Sequence, residues 1–225
     1  FDAENRFILE EKIIINDHDF NKGKFLNINE ISLNIKKNIR ILEEKLNCVF
    51  TKVTLILENF KFYCINISGY KKLNGSQILR ENITYILNTL KFYVDKNEEK
   101  KTILHIFNSN FLLDNKKIEN PPIGLFGDFY SHELSFSLIN KNDFKNLQNL
   151  FKKCNLRIKK VLLSNYVKGV FISEKNVNLE SFYFLEIDAY NSRIFYFEND
   201  CLKFEQSFKF GYDIIFKDIS KITLL

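Results

Sequence analysis

The segment that most restricts how this chain can fold is residues 103–124, ILHIFNSNFLLDNKKIENPPIG. Its first half, up to Leu113, is a long run rich in β-branched and aromatic residues, interrupted at Asn108, Ser109 and Asn110. That composition suits a strand. Asp114-Asn115 then supply turn chemistry, because both side chains can bond their own backbone and both residues tolerate positive φ. Pro121-Pro122 cannot donate to a ladder, so the chain must leave the sheet there or follow its edge. Gly124 and Gly127 flank a further turn, and residues 130–138 resume a strand-like run. The pattern predicts two strands joined through a wide hairpin in the middle of the chain.

The elements on either side follow from periodicity and turn residues. Residues 7–15 read as a strand, 18–23 as a turn and 24–28 as a short strand. Ile28, Ile31, Ile35, Ile39, Leu42 and Leu46 recur at spacings of three and four, one face of an amphipathic helix. Asn29 is its expected N-cap, with Glu30 in the first turn, and Asn47 its left-handed end. Residues 52–57 and 61–67 read as adjacent strands joined tightly at Glu58-Asn59. A second helical stripe passes through Ile78, Leu79, Ile83, Ile86, Leu87 and Leu90, with Ser76 as expected cap and a charged loop at 95–101. Asn142-Asp143 cap a third helix that ends at Asn155. A strand over 158–163 and a helix over 164–172 follow, then a three-strand meander at 182–188, 193–198 and 202–210. Gly211-Tyr212-Asp213 begin a last helix.

Composition excludes several functions. No apolar run approaches the roughly 18 residues needed to cross a bilayer. The mixed-charge opening FDAENRFILEEK is not a signal peptide, so a cytoplasmic setting is expected. The chain has no Met and ends in apolar ISKITLL, which reads as a piece of a longer protein. Cys48, Cys64, Cys154 and Cys201 form no CxxC pair and are expected as buried free thiols rather than metal ligands or disulfides. The net charge of +5 comes from Lys interspersed with Glu and Asp, which reads as a solvated surface and not a nucleic-acid groove. His18, His105 and His132 share no ligand spacing, so packing or surface roles are expected. Phe and Tyr interleaved with Lys at 60–63 and 208–212 could stack bases, but edge and core positions account for them. An RNA-binding α+β module, one alternative reading, predicts salt-dependent binding to single strands.

The central segment also resembles a known family. Residues 103–113, Asp114, then Asn120-Pro121 and a Gly-bearing turn are similar to the "LH-I-P-x-x-Y-x-(L/V)-D … NP-x-G" segment of the bacterial cell-division protein FtsA. Gly23 and Ile28 match the family's "G-x-x-x-G-x-(V/I)-x-D-I" stretch before a long helix, while Asp19 and Asn27 depart from it. The resemblance implies an α/β (α+β) chain: a fragment of an actin-like, ribonuclease H-like fold carrying an inserted strand-helix-strand-strand (SHS2) subdomain. The implied boundaries are 1–49 in the first actin-like subdomain, 50–158 in the insert, 159–178 returning to the first subdomain and 179–225 opening the second.

In actin-like ATPases the first hairpin of the second domain carries D-x-G-x-x-x-T, whose backbone N–H groups face the phosphates of ATP. The matching positions here run from Glu186 to Ser192, with Glu186 for Asp, Asp188 for Gly and Ser192 for Thr. A carboxylate about 5 Å from a phosphate charge costs roughly 3 kcal/mol at an effective dielectric of about 20. That is around a hundredfold in affinity. Gly211 and Asp218-Ile219 resemble the later "G-G-x-x-(I/L)-T-x-D-I" segment, with Tyr212 for Gly and Phe216 for Thr. Ala189, Asn191, Ser192 and Gly211 are therefore the candidate cofactor-binding residues of a degenerate phosphate turn, with ATP the cofactor implied and no catalytic residue or metal assigned.

The resemblance further implies a protein that polymerises, links FtsZ filaments to the inner face of the cell membrane and recruits later division proteins. The insert would serve as contact surface for neighbouring protomers and partners, and the membrane-binding and FtsZ-binding parts would lie beyond Leu225. An actin-fold ATPase or sugar kinase is one alternative, and a pilus-assembly scaffold such as PilM is another.

Overall fold

A computed structural model of the chain describes residues 9–14, 20–21, 24–25, 27–58, 60–176 and 178–223, the first short hairpin by its backbone alone. In chain order the elements are β1 (Phe20–Asn21), β2 (Lys24–Phe25), α1 (Ile28–Leu46), β3 (Lys52–Leu57), β4 (Phe62–Lys72), α2 (Arg80–Asn97), β5 (Lys101–Leu113), β6 (Lys116–Ile118), β7 (Phe129–Asn140), α3 (Lys141–Lys153), β8 (Arg157–Leu163), α4 (Ser164–Lys175), β9 (Ser181–Ile187), β10 (Ser192–Glu198), β11 (Cys201–Phe208) and α5 (Asp213–Thr223). They form two compact units, Phe1–Phe60 with Lys141–Leu162, and Lys61–Asn140 with Leu163–Leu225.

In the first unit α1 packs against α3, and β3 pairs with β8. The N-cap of α1 is Asn27, not the expected Asn29: its backbone is extended and its side chain accepts from the Glu30 N–H at 3.3 Å. The Asn29 side chain instead accepts from the Lys153 ammonium. Asn47 closes α1 in the left-handed region at φ 48°, as its position predicts. Ile31 on α1 and Leu147 and Leu150 on α3 are buried, and the Cys154 thiol donates to the Ser32 carbonyl at 3.5 Å. Leu9–Ile14, expected within a strand, has no regular structure; Leu9 and Ile14 are exposed, so their apolar surface has nothing to pack on. Residues 52–57 and 61–67 do not form the expected tight pair either. β4 runs on to Lys72 and pairs with β7 along its whole length, from Phe62↔Ile139 to Lys72↔Phe129, a ladder that a local hairpin could not match.

The second unit is built on the antiparallel sheet β4-β7-β5-β6. The predicted central hairpin is present as β5 and β7, with Phe111 opposite His132. Asp114 and Asn115 adopt φ 49° and 64°, which turns the chain into β6. The Asp114 carboxylate then accepts from the N–H groups of Asp128 and Phe129, tying the far end of the hairpin shut. One face of the sheet carries α2, whose Ile86, Leu90 and Val94 bury against Tyr130, Leu134, Phe136 and Leu138. Each such side chain contributes about 1.5–3 kcal/mol. α2 begins at Arg80 and continues to Asn97, into the expected charged loop. Ser76 does not cap it, because its hydroxyl donates to the Leu73 carbonyl inside the preceding turn, while the Asn82 side chain accepts from the Leu79 N–H at 2.7 Å.

The second sheet, β11-β10-β9, shares no hydrogen-bonded strand with the first among the described residues. β11 lies against β4, β5 and β7, and α4 places Tyr166 against the rings of His105 and Phe107. β7 is thus covered on both faces, which accounts for its buried run from Leu134 to Ile139. Of the cysteines, Cys154 and Cys201 are buried as expected, Cys64 is half-buried, and Cys48 is exposed because it follows the left-handed exit from α1. Burial pushes the Cys64 thiol up to about 12 and that of Cys201 up to about 11, so both stay protonated.

His132 has a measurable consequence. It is fully buried under α2, with its ring 4.6 Å from Phe111 and 6.2 Å from Tyr130, and neither ring nitrogen has a hydrogen-bond partner among the described residues. Burial lowers its pKa from 6.5 to about 4. The unfolded chain therefore binds more protons than the folded one between these values. Stability falls as pH drops through 6.5 and the loss is complete below 4, at about 3 kcal/mol. Urea midpoints measured from pH 7 to pH 4 should show this slope, and His132→Phe should flatten it. An equal slope in that variant would assign the effect elsewhere.

Candidate functional site

The structure gathers the four residues singled out for a phosphate turn. β9 passes into β10 through a tight reversal in which the Asp188 N–H donates to the Asn191 carbonyl at 2.8 Å, with Ala189 and Tyr190 between them. Gly211 lies directly on this reversal: a Cβ there would stand 1.9 Å from the Asp188 carbonyl oxygen and 2.5 Å from that of Ala189. The start of α5 is bonded to the same two carbonyls, Tyr212 N–H to Asp188 at 3.1 Å and Asp213 N–H to Ala189 at 3.0 Å. The Ser192 hydroxyl donates to the Phe210 carbonyl at 2.8 Å.

These hydrogen bonds decide what the turn can hold. A helix N-terminus receives an anion through unpaired N–H groups. Here the Tyr212 and Asp213 N–H groups are taken by the turn's own carbonyls, the Asp188 N–H by Asn191 and the Ser192 hydroxyl by Phe210. Asp188 and Asp213 add carboxylates where a phosphate would bring further negative charge, and Asp213 is paired with Lys217 at 2.9 Å. The residues present do not fit the phosphates of a nucleotide.

Glu186, at the position where the family pattern has Asp, is held by two cations. Its Oε1 accepts from Lys168 Nζ on α4 and its Oε2 from the Arg193 guanidinium on β10, each at 2.8 Å. The carboxylate fastens α4 to the three-stranded sheet. No group of three or more His, Cys, Asp or Glu among the described residues could hold a metal ion. His105 and His132 are packed against rings, as expected, and His18 lies outside the described residues.

A polar cluster that sequence reasoning missed lies between the two sheets of this unit. The Lys203 side chain is 7% exposed and reaches Glu133 on β7 at 2.7 Å and Glu198 on β10 at 3.3 Å. Glu133 also accepts from the Asn110 amide at 3.0 Å. The Asn66 amide donates to the Lys203 carbonyl at 2.8 Å and accepts from the Ser135 hydroxyl at 2.6 Å. The cause is a bulge: Tyr196 pairs with Phe204 but Phe197 with Leu202, so Lys203 is the extra residue and turns inward. Burial alone would raise the Glu133 pKa, but the hydrogen bonds and charge of Lys203, with Asn110 and Ser109, hold it below the ordinary value.

No protein-family model matches the chain. It is 22% identical over 207 residues to the cell division protein FtsA of Buchnera aphidicola subsp. Schizaphis graminum, covering 92% of this chain and 49% of that protein. To the FtsA of Buchnera aphidicola subsp. Acyrthosiphon pisum it is 23% identical over 200 residues, covering 88% and 47%. The chain spans about half the length of the curated relatives it matches. Among solved structures it is similar to the PilM-PilN type IV pilus biogenesis complex, with a TM-score of 0.55, 9% identity, and coverage of 94% of this chain and 57% of that one. The architecture is mixed α/β, consistent with the actin-like fragment expected from the sequence. By sequence the chain is FtsA-like along nearly all its length.

Proposed function

We propose that the chain is part of a cell-division scaffold of the FtsA kind, which self-associates into filaments, links FtsZ to the cytoplasmic face of the membrane at the division site and recruits later division proteins. The observation that carries this is the likeness to FtsA proteins over about nine tenths of the chain. In this reading 50–158 is the inserted subdomain, flanked by 1–49 and 159–178 of the first actin-like subdomain, and 179–225 opens the second. FtsZ and the membrane are engaged by parts beyond these residues. No helix among the described residues is long and apolar enough to cross a membrane.

The scaffold works without nucleotide turnover. The occupied donors around Ala189, Asn191, Ser192 and Gly211, together with the Asp188 carboxylate, support that reading. The test joins this chain to the remaining half of a bacterial FtsA and asks whether the chimera restores septation in cells depleted of their own FtsA. Restoration is expected, and a folded, normally abundant chimera that leaves cells filamentous counts against the reading. The same purified chain titrated with ATP and magnesium should show a Kd no tighter than about 1 mM. Micromolar binding would favour an actin-fold ATPase. A pilus-assembly scaffold is the second reading, on the likeness to the PilM-PilN complex.

A further inference from the structure

Among the described residues β4 has a neighbouring strand on one side only, β7, and forms the border of its sheet. A groove of about 540 Å³ runs beside residues 67–70, with α2 as its opposite wall. Successive side chains of a strand point to opposite faces, so a groove lined by four residues in a row exposes the strand's edge rather than one of its faces. Gly69 permits this closeness, because a Cβ there would sit 2.7 Å from Ile86 of α2.

Aromatic rings stand on both sides of that edge. Tyr85 and Tyr93 line the α2 side, while on the other face Tyr70 stacks on Phe129 at 5.5 Å. Each side also carries a lysine: Lys71 lies 5.3 Å from the Tyr85 ring and Lys72 6.0 Å from the Phe129 ring. Neither lysine has a carboxylate partner among the described residues. β4 itself carries two lysines and no acidic residue.

We propose that this edge receives an extended segment of another protein as an added strand. Its alternate apolar or aromatic side chains fall on the two tyrosine-bearing walls, and its carboxylates meet Lys71 and Lys72. An unpaired edge supplies backbone donors and acceptors for such a strand. The flanking rings read its side chains, and the unpaired cations select acidic character. A second copy of β4 is a poor occupant, because it would bring two more lysines and no carboxylate; lysines on an edge act against self-pairing. The inference uses neither the phosphate turn nor the division-protein reading, and its failure leaves both untouched.

The test uses the 225-residue chain and the fluorescein-labelled peptide Glu-Glu-Ile-Thr-Phe-Thr-Val-Thr-Gly, with a partner peptide carrying the acidic pair at its other end. Anisotropy should show micromolar binding of one of the two. Lys replacing both Glu should weaken it about tenfold or more, as should Lys71→Glu combined with Lys72→Glu in the protein. Methylating alternate backbone nitrogens of the peptide should abolish binding, because added strands bind through the backbone. Lys72 is exposed and Lys71 half-buried, so the melting curve of the double variant is compared with the parent's to separate lost binding from lost folding. The proposal is overturned if neither peptide binds up to millimolar concentration, or if binding ignores methylation and the lysine exchange.

Discussion

Lys203→Met is expected to destabilise the chain by about 3 kcal/mol at neutral pH, the lower end of what breaking a buried ion pair costs. Lys203 is almost entirely enclosed, while Glu133 and Glu198 keep 27% and 28% of their side-chain surface in water, so solvent screens part of the loss. What the variant leaves behind is the expensive part: two carboxylates facing an apolar side chain between two sheets. The loss should therefore shrink once the negative charge is also removed. Lys203→Met with Glu133→Gln should recover most of it, and a double-mutant cycle by urea denaturation measures the coupling. The Glu133 pKa is depressed, so its contribution is present above the ordinary carboxylate range and fades as pH falls through it. If Lys203→Met alone leaves the urea midpoint unchanged, the cluster is not what joins the sheets.

Gly169 gives the second large effect. It lies in α4 with no side chain because the buried Phe197 ring occupies the space: a Cβ would fall 2.0 Å from its Cζ and 2.2 Å from its Cε1. Phe197 is fully buried and stacked on Phe182 at 5.0 Å with ring planes 3° apart, so it has little room to give way. Alanine favours a helix over glycine by about 1 kcal/mol. Overpacking costs about 1–3 kcal/mol and more for a larger side chain. Gly169→Ala should thus show a net loss of about 1 kcal/mol, and Gly169→Leu about 3 kcal/mol or more. Placing Gly169→Ala in a Phe197→Leu background should turn the loss towards a gain. A stabilised Gly169→Ala with Phe197 intact would contradict the close contact.

The local devices were legible in the sequence. Asp114 and Asn115 take the positive φ that their turn chemistry invites, Asn47 and Asn155 end their helices in the left-handed region, and the stripe from Ile28 to Leu46 is α1. The central hairpin is where its apolar runs place it. The misses share a different cause. Nothing near residue 62 announces that its ladder lies on β7, some seventy residues on; adjacency suggested β3 instead. Lys203 in CLKF looks like an outward lysine, and only the register slip against β10 turns it inward. Gly169 resembles any tolerated helical glycine until Phe197 is placed over it. For the candidate site, the family pattern matched onto Glu186–Ser192 and Gly211 named residues that the fold brings together. That the Tyr212 and Asp213 N–H groups would be spent on carbonyls of the turn depended on how the start of α5 docks, which the sequence pattern does not encode.

The carbonyls of Asp188 and Ala189 take the place at the head of α5 that a bound anion holds in a working phosphate site. An anchor made from the chain's own backbone is present at full effective concentration, whereas a bound anion depends on its supply. The start of α5 is therefore set by the chain's own backbone, and no bound anion is needed to position it.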